Sequence, residues 1–318
     1  MNAASAAEIA EVLRDAPAVS IISHVRPDAD TIGSALALGQ ALRGRGAQVA
    51  VSFPGPEELP GTLRQLPGAD LIVADRELTA APVAVAVDAA TVERIGALGE
   101  VFAASGTTVC IDHHVSNTGF ADLDLIDGES DCTAVLVLDV LDALGAELTP
   151  DIATCLFAGL VTDTGSFKWA RPESFLVAGR LTAAGVDSAK WSRLLLDSHP
   201  FGWFAMVSAV LATARLDQNA CGGAGLAVAV VDAEQMAGMD WEDGESVVDI
   251  VRTAREADVT AVFKESTPGH WNVSLRSKSM TDLVPIARSL GGGGHTRAAG
   301  YSDTGPVGDV IDRLRKAL

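Results

Sequence analysis

His24, Asp28 and Asp30 fall within seven residues of "SHVRPDADTIGS" (23–34), directly after the apolar run "AVSII" and ahead of "ALALGQAL". The same residue types recur further on. Asp88 follows "VAVAV", Asp112, His113 and His114 follow "TTVCI", and Asp163 follows an apolar segment in "GLVTDTGSF". Carboxylates crowded together push each other's pKa values up unless a cation stands among them. Asp28, Asp30, Asp88 and Asp163 would carry about four negative charges when ionised, the charge that two divalent cations neutralise. A mixed imidazole and carboxylate set suits Mn²⁺, Fe²⁺, Co²⁺ or Zn²⁺ better than an all-oxygen Mg²⁺ site. Two such ions about 3.5–4 Å apart can lower the pKa of a shared water and clamp both oxygens of an in-line phosphoryl displacement.

Taken singly, each of these residues has a plainer explanation. An aspartate at a strand end usually caps a helix or forms a turn, and a lone histidine is usually just hydrogen-bonded. Gly33 and Gly165 read as turn glycines. The metal reading prevails because four separate loops offer the right groups at once.

The elements that must carry these residues follow from periodicity. Short β-branched runs at Val19–Ile22, Val49–Phe53, Leu71–Ala74, Val83–Val87 and Thr108–Ile111 read as strands, separated by helical patterns. Thr31–Arg43 is the clearest helix, stopped by Gly44 and Gly46. Ser130 is the expected N-cap of "DCTAVLVLDVLDALG", and Thr149–Leu160 reads as another helix. Alternation of this kind predicts an α/β fold with a mainly parallel sheet flanked by helices. Ligands of such sheets collect beyond the carboxyl ends of the strands, where the four loops would converge. From about Leu195 to Leu216 the chain reads as a helical connector broken by Pro200 and Gly202. Strand patterns resume at Leu226–Val231, Thr260–Lys264 and Trp271–Leu275, so a second, smaller α/β domain is expected.

The 318 residues carry a net charge of −19. Such a surface repels phosphates, which argues against binding long DNA or RNA. The charge is uneven: residues 1–219 have 13 Lys and Arg against 28 Asp and Glu, and residues 220–318 have 10 against 14. Between Lys264 and Arg297 the balance reverses. Cys110, Cys132, Cys155 and Cys221 form no CxxC pair, which points to a reducing cytoplasm. The opening "MNAASAAEIAEVLRD" reads as an acidic helix, without the basic start and apolar core of a signal peptide. No run has the length and apolarity of a membrane span.

In that order, "HVRPDADTIGS", "VDAA", "DHHVSN" and "TDTGSF" resemble the four signatures of the DHH phosphoesterase superfamily. The stretch "SLRSKSMTDLVPIARSLGGGGHTRAAG" resembles the substrate-binding half of the DHHA1 domain that accompanies it. Within the superfamily the chain is most similar to the compact nanoRNase group, bifunctional oligoribonucleases and PAP phosphatases. The resemblance implies a DHH catalytic domain at 1–194, a helical linker at 195–219 and a DHHA1 substrate-binding domain at 220–318. It implies that His24 and Asp28 hold one metal, that Asp30, His113 and Asp163 hold the other, and that Asp88 bridges both. It also implies that Asp112 orients the site from behind, that His114 meets the substrate phosphate, and that a hydroxide bridging the two metals, with Mn²⁺ expected, is the nucleophile. No expected ligand is missing.

The C-terminal glycines also have a reading of their own. Gly291, Gly292, Gly293 and Gly294 would let backbone N–H groups approach an anion, with His295 and Arg297 beside them. Arg276 and Lys278 alternate on a strand pattern and would face one side. The expected activity is a manganese-dependent phosphodiesterase acting on short oligoribonucleotides, linear diadenylate, cyclic di-AMP or 3′-phosphoadenosine 5′-phosphate. The alternatives are a pyrophosphatase or exopolyphosphatase, of which the manganese pyrophosphatases carry a different second domain, and a nucleotide sensor, which would have lost a ligand. Expected partners are short RNA or dinucleotide substrates, with no long nucleic acid and no membrane. A homodimer is compatible with this size.

Overall fold

The computed structural model describes residues 3–55, 58–278 and 280–318; Met1, Asn2, Pro56, Glu57 and Ser279 lie outside them. The chain divides into two compact units, Met1–Ser198 and His199–Leu318.

The first unit runs α1 (Ala6–Arg14), β1 (Ala18–Ile22), α2 (Ala29–Gly44), β2 (Gln48–Ser52), β3 (Val83–Val87), α3 (Leu98–Ala103), β4 (Thr107–Asp112), β5 (Leu123–Ile126), α4 (Thr133–Leu144), α5 (Pro150–Asp163), α6 (Pro172–Ala183) and α7 (Ser188–Leu196). Its five strands pair in parallel in the order β2-β1-β3-β4-β5. Both faces are covered, as a parallel sheet requires. Ile21, Val85 and Val109 face a core with α1, α2, α4 and α5. Ile22, Ala84 and Ala86 face Ile95, Leu98 and Phe102. The chain moves from β1 to β2 on one side and then to β3 on the other, so β1 and β3 border the switch point where ligands of such sheets bind.

Several expectations need correction. Leu71–Ala74 is not a strand: Ala69–Leu71 is a 3₁₀ turn, and Ile72 makes one isolated bridge to Val51. Strand β5 was not foreseen. Helix α4 starts at Thr133 with Cys132 at its cap position, and Ser130 instead donates its hydroxyl to the Cys132 carbonyl at 2.9 Å. The helix expected over Thr149–Leu160 is α5; the Thr149 hydroxyl caps it and it runs on to Asp163, which therefore sits on a helix end and not in a strand-end loop. Gly33 forms no turn either. It lies inside α2 against α5, where an added Cβ would stand 2.2 Å from the Cys155 carbonyl oxygen.

The second unit runs α8 (Gly202–Thr213), β6 (Arg215–Asp217), β7 (Leu226–Val231), α9 (Trp241–Glu245), α10 (Val247–Val251), β8 (Val259–Thr267), β9 (His270–Ser277), α11 (Leu283–Ser289), β10 (Gly293–His295), β11 (Ala298–Thr304) and α12 (Val307–Ala317). Its sheet has the order β10-β11-β9-β8-β7-β6 and is antiparallel except between β7 and β8. Helix α8 was expected within the connector, but it packs Met206, Val207 and Val210 onto Ala227 and Ala229 of β7. The opposite face of the sheet carries Phe263, Val273 and Leu275 against α11 and α12. The glycine run forms no open loop: Gly293 and Gly294 belong to edge strand β10, paired with Gly300 and Ala299.

Candidate active site

Three chain segments leave the carboxyl edge of the first sheet side by side. His24 follows β1, Asp88 follows β3, and Asp112 ends β4 ahead of His113 and His114. Thr31 ties two of them together, donating its hydroxyl to the Val87 carbonyl at 3.0 Å and receiving the His24 N–H at 3.4 Å. Asp28 serves two ends at once. Its Oδ1 caps α2, accepting from the N–H groups of Asp30 and Thr31 at 3.1 Å each, while Oδ2 stands 3.6 Å from His24 Nε2. Asp88 sits at φ 58°, in the left-handed region that a non-glycine residue enters only when its surroundings hold it there.

The ligating atoms of His24, Asp28 and Asp88 lie within 4.8 Å of one another, as do those of Asp30, His113 and Asp163. Asp88 reaches both sets, with Oδ2 3.3 Å from His24 Nε2 and Oδ1 3.5 Å from His113 Nε2. His113 Nε2 is also 3.3 Å from Asp163 Oδ2 and 3.9 Å from Asp30 Oδ2. In both rings Nδ1 instead meets a backbone carbonyl, Val25 at 2.9 Å from His24 and Ser130 at 3.3 Å from His113. In His113 a proton on Nδ1 would turn the Nε2 lone pair toward the carboxylates, as ligating histidines are commonly held, whereas His24 Nδ1 also faces the Arg94 guanidinium.

The electrostatics show what this arrangement is short of. Asp30 is wholly buried, and burial together with Asp88 and Asp28 pushes its carboxyl well above the usual range. Burial and the Arg94 guanidinium push His24 down, but Asp28 and Asp88 outweigh them and raise it to about 9. Burial and His114 lower His113. A cluster in which burial and neighbouring carboxylates work against the charge of Asp30 is short of positive charge and suits divalent cations, and the donor types present can hold them.

Asp112 and His114 form a separate pair. His114 Nδ1 lies 2.7 Å from Asp112 Oδ1, and Asn117 Nδ2 donates to Asp112 Oδ2 at 2.7 Å. Burial opposes ionisation of Asp112, but His114 and Asn117 prevail and hold its carboxyl far below the usual range. Burial works against a charged His114, yet Asp112 outweighs it and raises the imidazole pKa. Asp112 therefore orients His114 and not the two inward-facing histidines.

Residues of ordinary type, passed over in the sequence, complete the arrangement. The first N–H groups of α4 both go to Asp30, Thr133 to Oδ2 at 2.7 Å and Ala134 to Oδ1 at 2.9 Å. Arg94, in the 3₁₀ turn after β3, places Nη2 3.2 Å from His24 Nδ1. Arg94 and the capping N–H groups give no signal without coordinates.

In the second unit, cross-strand register puts Arg276 opposite Ala298 and Ala298 opposite His295. Arg276 and His295 thus share a sheet face with only an alanine between them. Lys264, also unforeseen, lies on that face, buried, ion-paired with Glu245 and donating to Ser274 Oγ at 2.6 Å. Lys278 lies past the end of β9, where its ammonium donates to the Ala254 carbonyl. There it lines a cavity of about 600 Å³ with Arg255, Asp258 and Met280; neither Arg276 nor His295 does. Arg297 lies in the β10–β11 turn, and its carbonyl accepts from the Ser277 N–H. Gly292 is needed for packing, because a Cβ there would stand 2.0 Å from the Gly300 carbonyl oxygen.

A parallel sheet with imidazoles and carboxylates along its carboxyl edge, followed by a mixed-sheet unit, is the architecture of a two-domain phosphoesterase. Residues 18–160 match the DHH family, N-terminal domain, and residues 223–318 match the DHHA1 domain. The chain is 35% identical to the bifunctional oligoribonuclease and PAP phosphatase NrnA of Thermus thermophilus, over 98% of this chain and 92% of that one. It is 29% identical to a probable protein of the same name from Streptococcus mutans, over 89% and 88%. An exopolyphosphatase-related protein from Bacteroides fragilis shares the fold, with a TM-score of 0.83 at 23% identity, covering 98% of this chain and 94% of that one. The chain belongs to the DHH family and is a phosphoesterase.

No helix among the described residues is long and apolar enough to cross a membrane.

Proposed function

We propose that this enzyme is a dimetal phosphodiesterase that hydrolyses short oligoribonucleotides and dinucleotides to mononucleotides, and 3′-phosphoadenosine 5′-phosphate to AMP. The observation that carries this reading is the paired arrangement of His24 and His113. Each turns Nε2 toward carboxylate oxygens at 3.3–3.9 Å and Nδ1 toward a backbone carbonyl. His24, Asp28 and Asp88 would hold one divalent cation, Asp30, His113, Asp163 and the shared Asp88 the other, with Mn²⁺ the expected metal. When bound, the ions would supply Lewis acidity to the phosphoryl oxygens and activate the attacking water.

The chain's own groups do the rest. His114, steadied by Asp112 and raised in pKa, presents a proton on Nε2 to a phosphate oxygen. Arg94 adds positive charge at the rim of the cluster, and Arg276 and His295 bind a nucleotide phosphate from their shared sheet face. In the reaction, water oxygen bonds to phosphorus, the bond to the ribose oxygen breaks, and that oxygen takes a proton. Charge favours short substrates, since the surface at net −19 repels a long strand. The names and near full-length coverage of the two NrnA relatives support the same substrate class.

The test is a product time course with Mn²⁺ returned to chelator-stripped protein. Linear diadenylate, cyclic di-AMP, 3′-phosphoadenosine 5′-phosphate and pyrophosphate are offered at equal concentration. Rapid release of AMP from linear diadenylate, with pyrophosphate intact, is the expected result. Cleavage of pyrophosphate alone would reject the proposal.

A further inference from the structure

A carboxylate stands beside Arg276 and is held by a different cation. Glu245 ends α9, and its Oε1 pairs with the ammonium of Lys264. Its Oε2 accepts the Ser274 hydroxyl at 2.9 Å, and Ser274 Oγ in turn accepts from Lys264 Nζ at 2.6 Å. The three groups close a ring in which Lys264 is buried and Glu245 nearly half exposed. Ser274 and Arg276 alternate along β9, so the ring and the guanidinium share one sheet face. Arg276 lies near enough for its charge to favour that of Glu245. Even so, its guanidinium donates to the Leu275 carbonyl at 3.1 Å, and no carboxylate pairs with it among the described residues.

Left to itself, a carboxylate favours a guanidinium, which it can grip through two parallel hydrogen bonds. Lys264 works against that pairing. A cation taken out of water needs a counter-charge, and Glu245 supplies it. The two charges cancel, and the charge of Arg276 remains for an anion. We infer that Lys264 is a positioning residue for substrate binding: by occupying Glu245 it keeps the Arg276 guanidinium available to a nucleotide phosphate. The inference rests on the phosphodiesterase reading and adds what keeps its phosphate site positive in a strongly acidic protein.

The competing role is purely structural, with the ion pair only fastening α9 to the sheet. Lys264→Met removes the charge and keeps the length of the side chain. Glu245 is then released toward Arg276, and KM for linear diadenylate should rise about tenfold, the scale of one charge-assisted hydrogen bond, with kcat unchanged. Adding Glu245→Gln removes the competing charge, so the double variant should return close to the wild-type KM. The structural role predicts no such rescue, because the second substitution restores no ion pair. KM does not depend on the fraction of protein that folds, so a weakened fold leaves the comparison valid. Glu245→Gln alone should have a KM at or below the wild-type value, which tests the inference even where Lys264→Met does not fold. An unchanged KM in Lys264→Met, a rise that the second substitution does not reverse, or a raised KM in Glu245→Gln would overturn it. Should wild-type protein leave diadenylate intact, the phosphodiesterase reading falls and calorimetry with AMP decides. Binding weakened in Lys264→Met and recovered in the double variant supports the inference; equal binding in all three proteins, or none in wild type, refutes it.

Discussion

The hydroxyl of Thr133 donates to the Asp88 carboxylate at 2.9 Å, and the N–H of the same residue donates to Asp30 at 2.7 Å. One residue at the start of α4 thus fixes two carboxylates that the proposed metal centre shares. Removing the hydroxyl while keeping the side-chain shape, in Thr133→Val, is expected to weaken Mn²⁺ binding about tenfold, the usual scale for such outer partners. Thr133→Ser should bind as wild type. Calorimetric titration of stripped protein gives the answer, and unaltered affinity in Thr133→Val would mean that the strained backbone alone positions Asp88.

The contact between α2 and α5 makes a prediction about stability. Gly33→Ala would drive a methyl group into the Cys155 carbonyl, and Gly159→Ala would bring one within 2.3 Å of Asp30 Oδ1. Each is expected to cost about 1–3 kcal/mol in urea denaturation, the range for overpacked interiors. Gly159→Ala should also impair Mn²⁺ binding through Asp30, whereas Gly33→Ala should spare it. Wild-type stability in either variant would show that the two helices slide apart easily.

Metal removal should be felt by the first unit as a whole. Cations that bind only the folded form stabilise it by about 2.7 kcal/mol at a concentration 100 times Kd. Chelation is therefore expected to lower the melting temperature of wild-type protein, and Mn²⁺ to restore it. Asp88→Ala should be indifferent to both treatments and should lose turnover of linear diadenylate. A variant lacking Asp88 that still turns over substrate at the wild-type rate would refute the shared-ligand arrangement.

Glu245 supplies a pH dependence away from the metal cluster. Desolvation by the surrounding unit works against its ionisation even though nearly half of its side chain is exposed, but Lys264, Ser274 and Arg276 outweigh it and hold its carboxyl below the usual carboxylate range. A depressed folded pKa contributes stability that is complete above the unfolded value of about 4.3 and is lost as pH falls through the folded value. Glu245→Gln should thus be less stable than wild type at pH 7, with the gap closing below about pH 4. Denaturant titrations at pH 7, 5 and 3.5 measure it, and a gap constant across that range would mean that the ion pair contributes nothing.

Much of the site was legible because its chemistry follows strand ends. His24, Asp88 and Asp112 each come directly after an apolar β-branched run, and a parallel sheet has one place to put such residues. Asp163 was found by residue type, although its support was misjudged: an apolar stretch in front of an aspartate does not say whether strand or helix delivers it. The same ambiguity made a strand of Leu71–Ala74, whose backbone turns just before it can pair, and concealed β5, where Asp124 interrupts a short apolar pattern. Thr133, Asn117 and Arg94 remained hidden for another reason. Their side chains are common, and they act only through what the fold sets beside them. In the second unit the glycines were read as bringing backbone N–H groups to an anion; in the fold Gly292 serves close packing, and Gly293 and Gly294 pair as an edge strand. Arg276 and His295 still came together, because strand register carries them to one face.

The groups that meet at the carboxyl edge are drawn from β1, α2, β3, β4 and α5, with α4 bracing two of them. A ribosome still making this chain has therefore produced His24 and Asp88 long before Asp163 exists, and no fragment ending before α5 can assemble the full set. On the proposed metal centre, chains ending before α5 would lack part of the ligand set, and phosphoester hydrolysis would arrive only with the completed N-terminal fold.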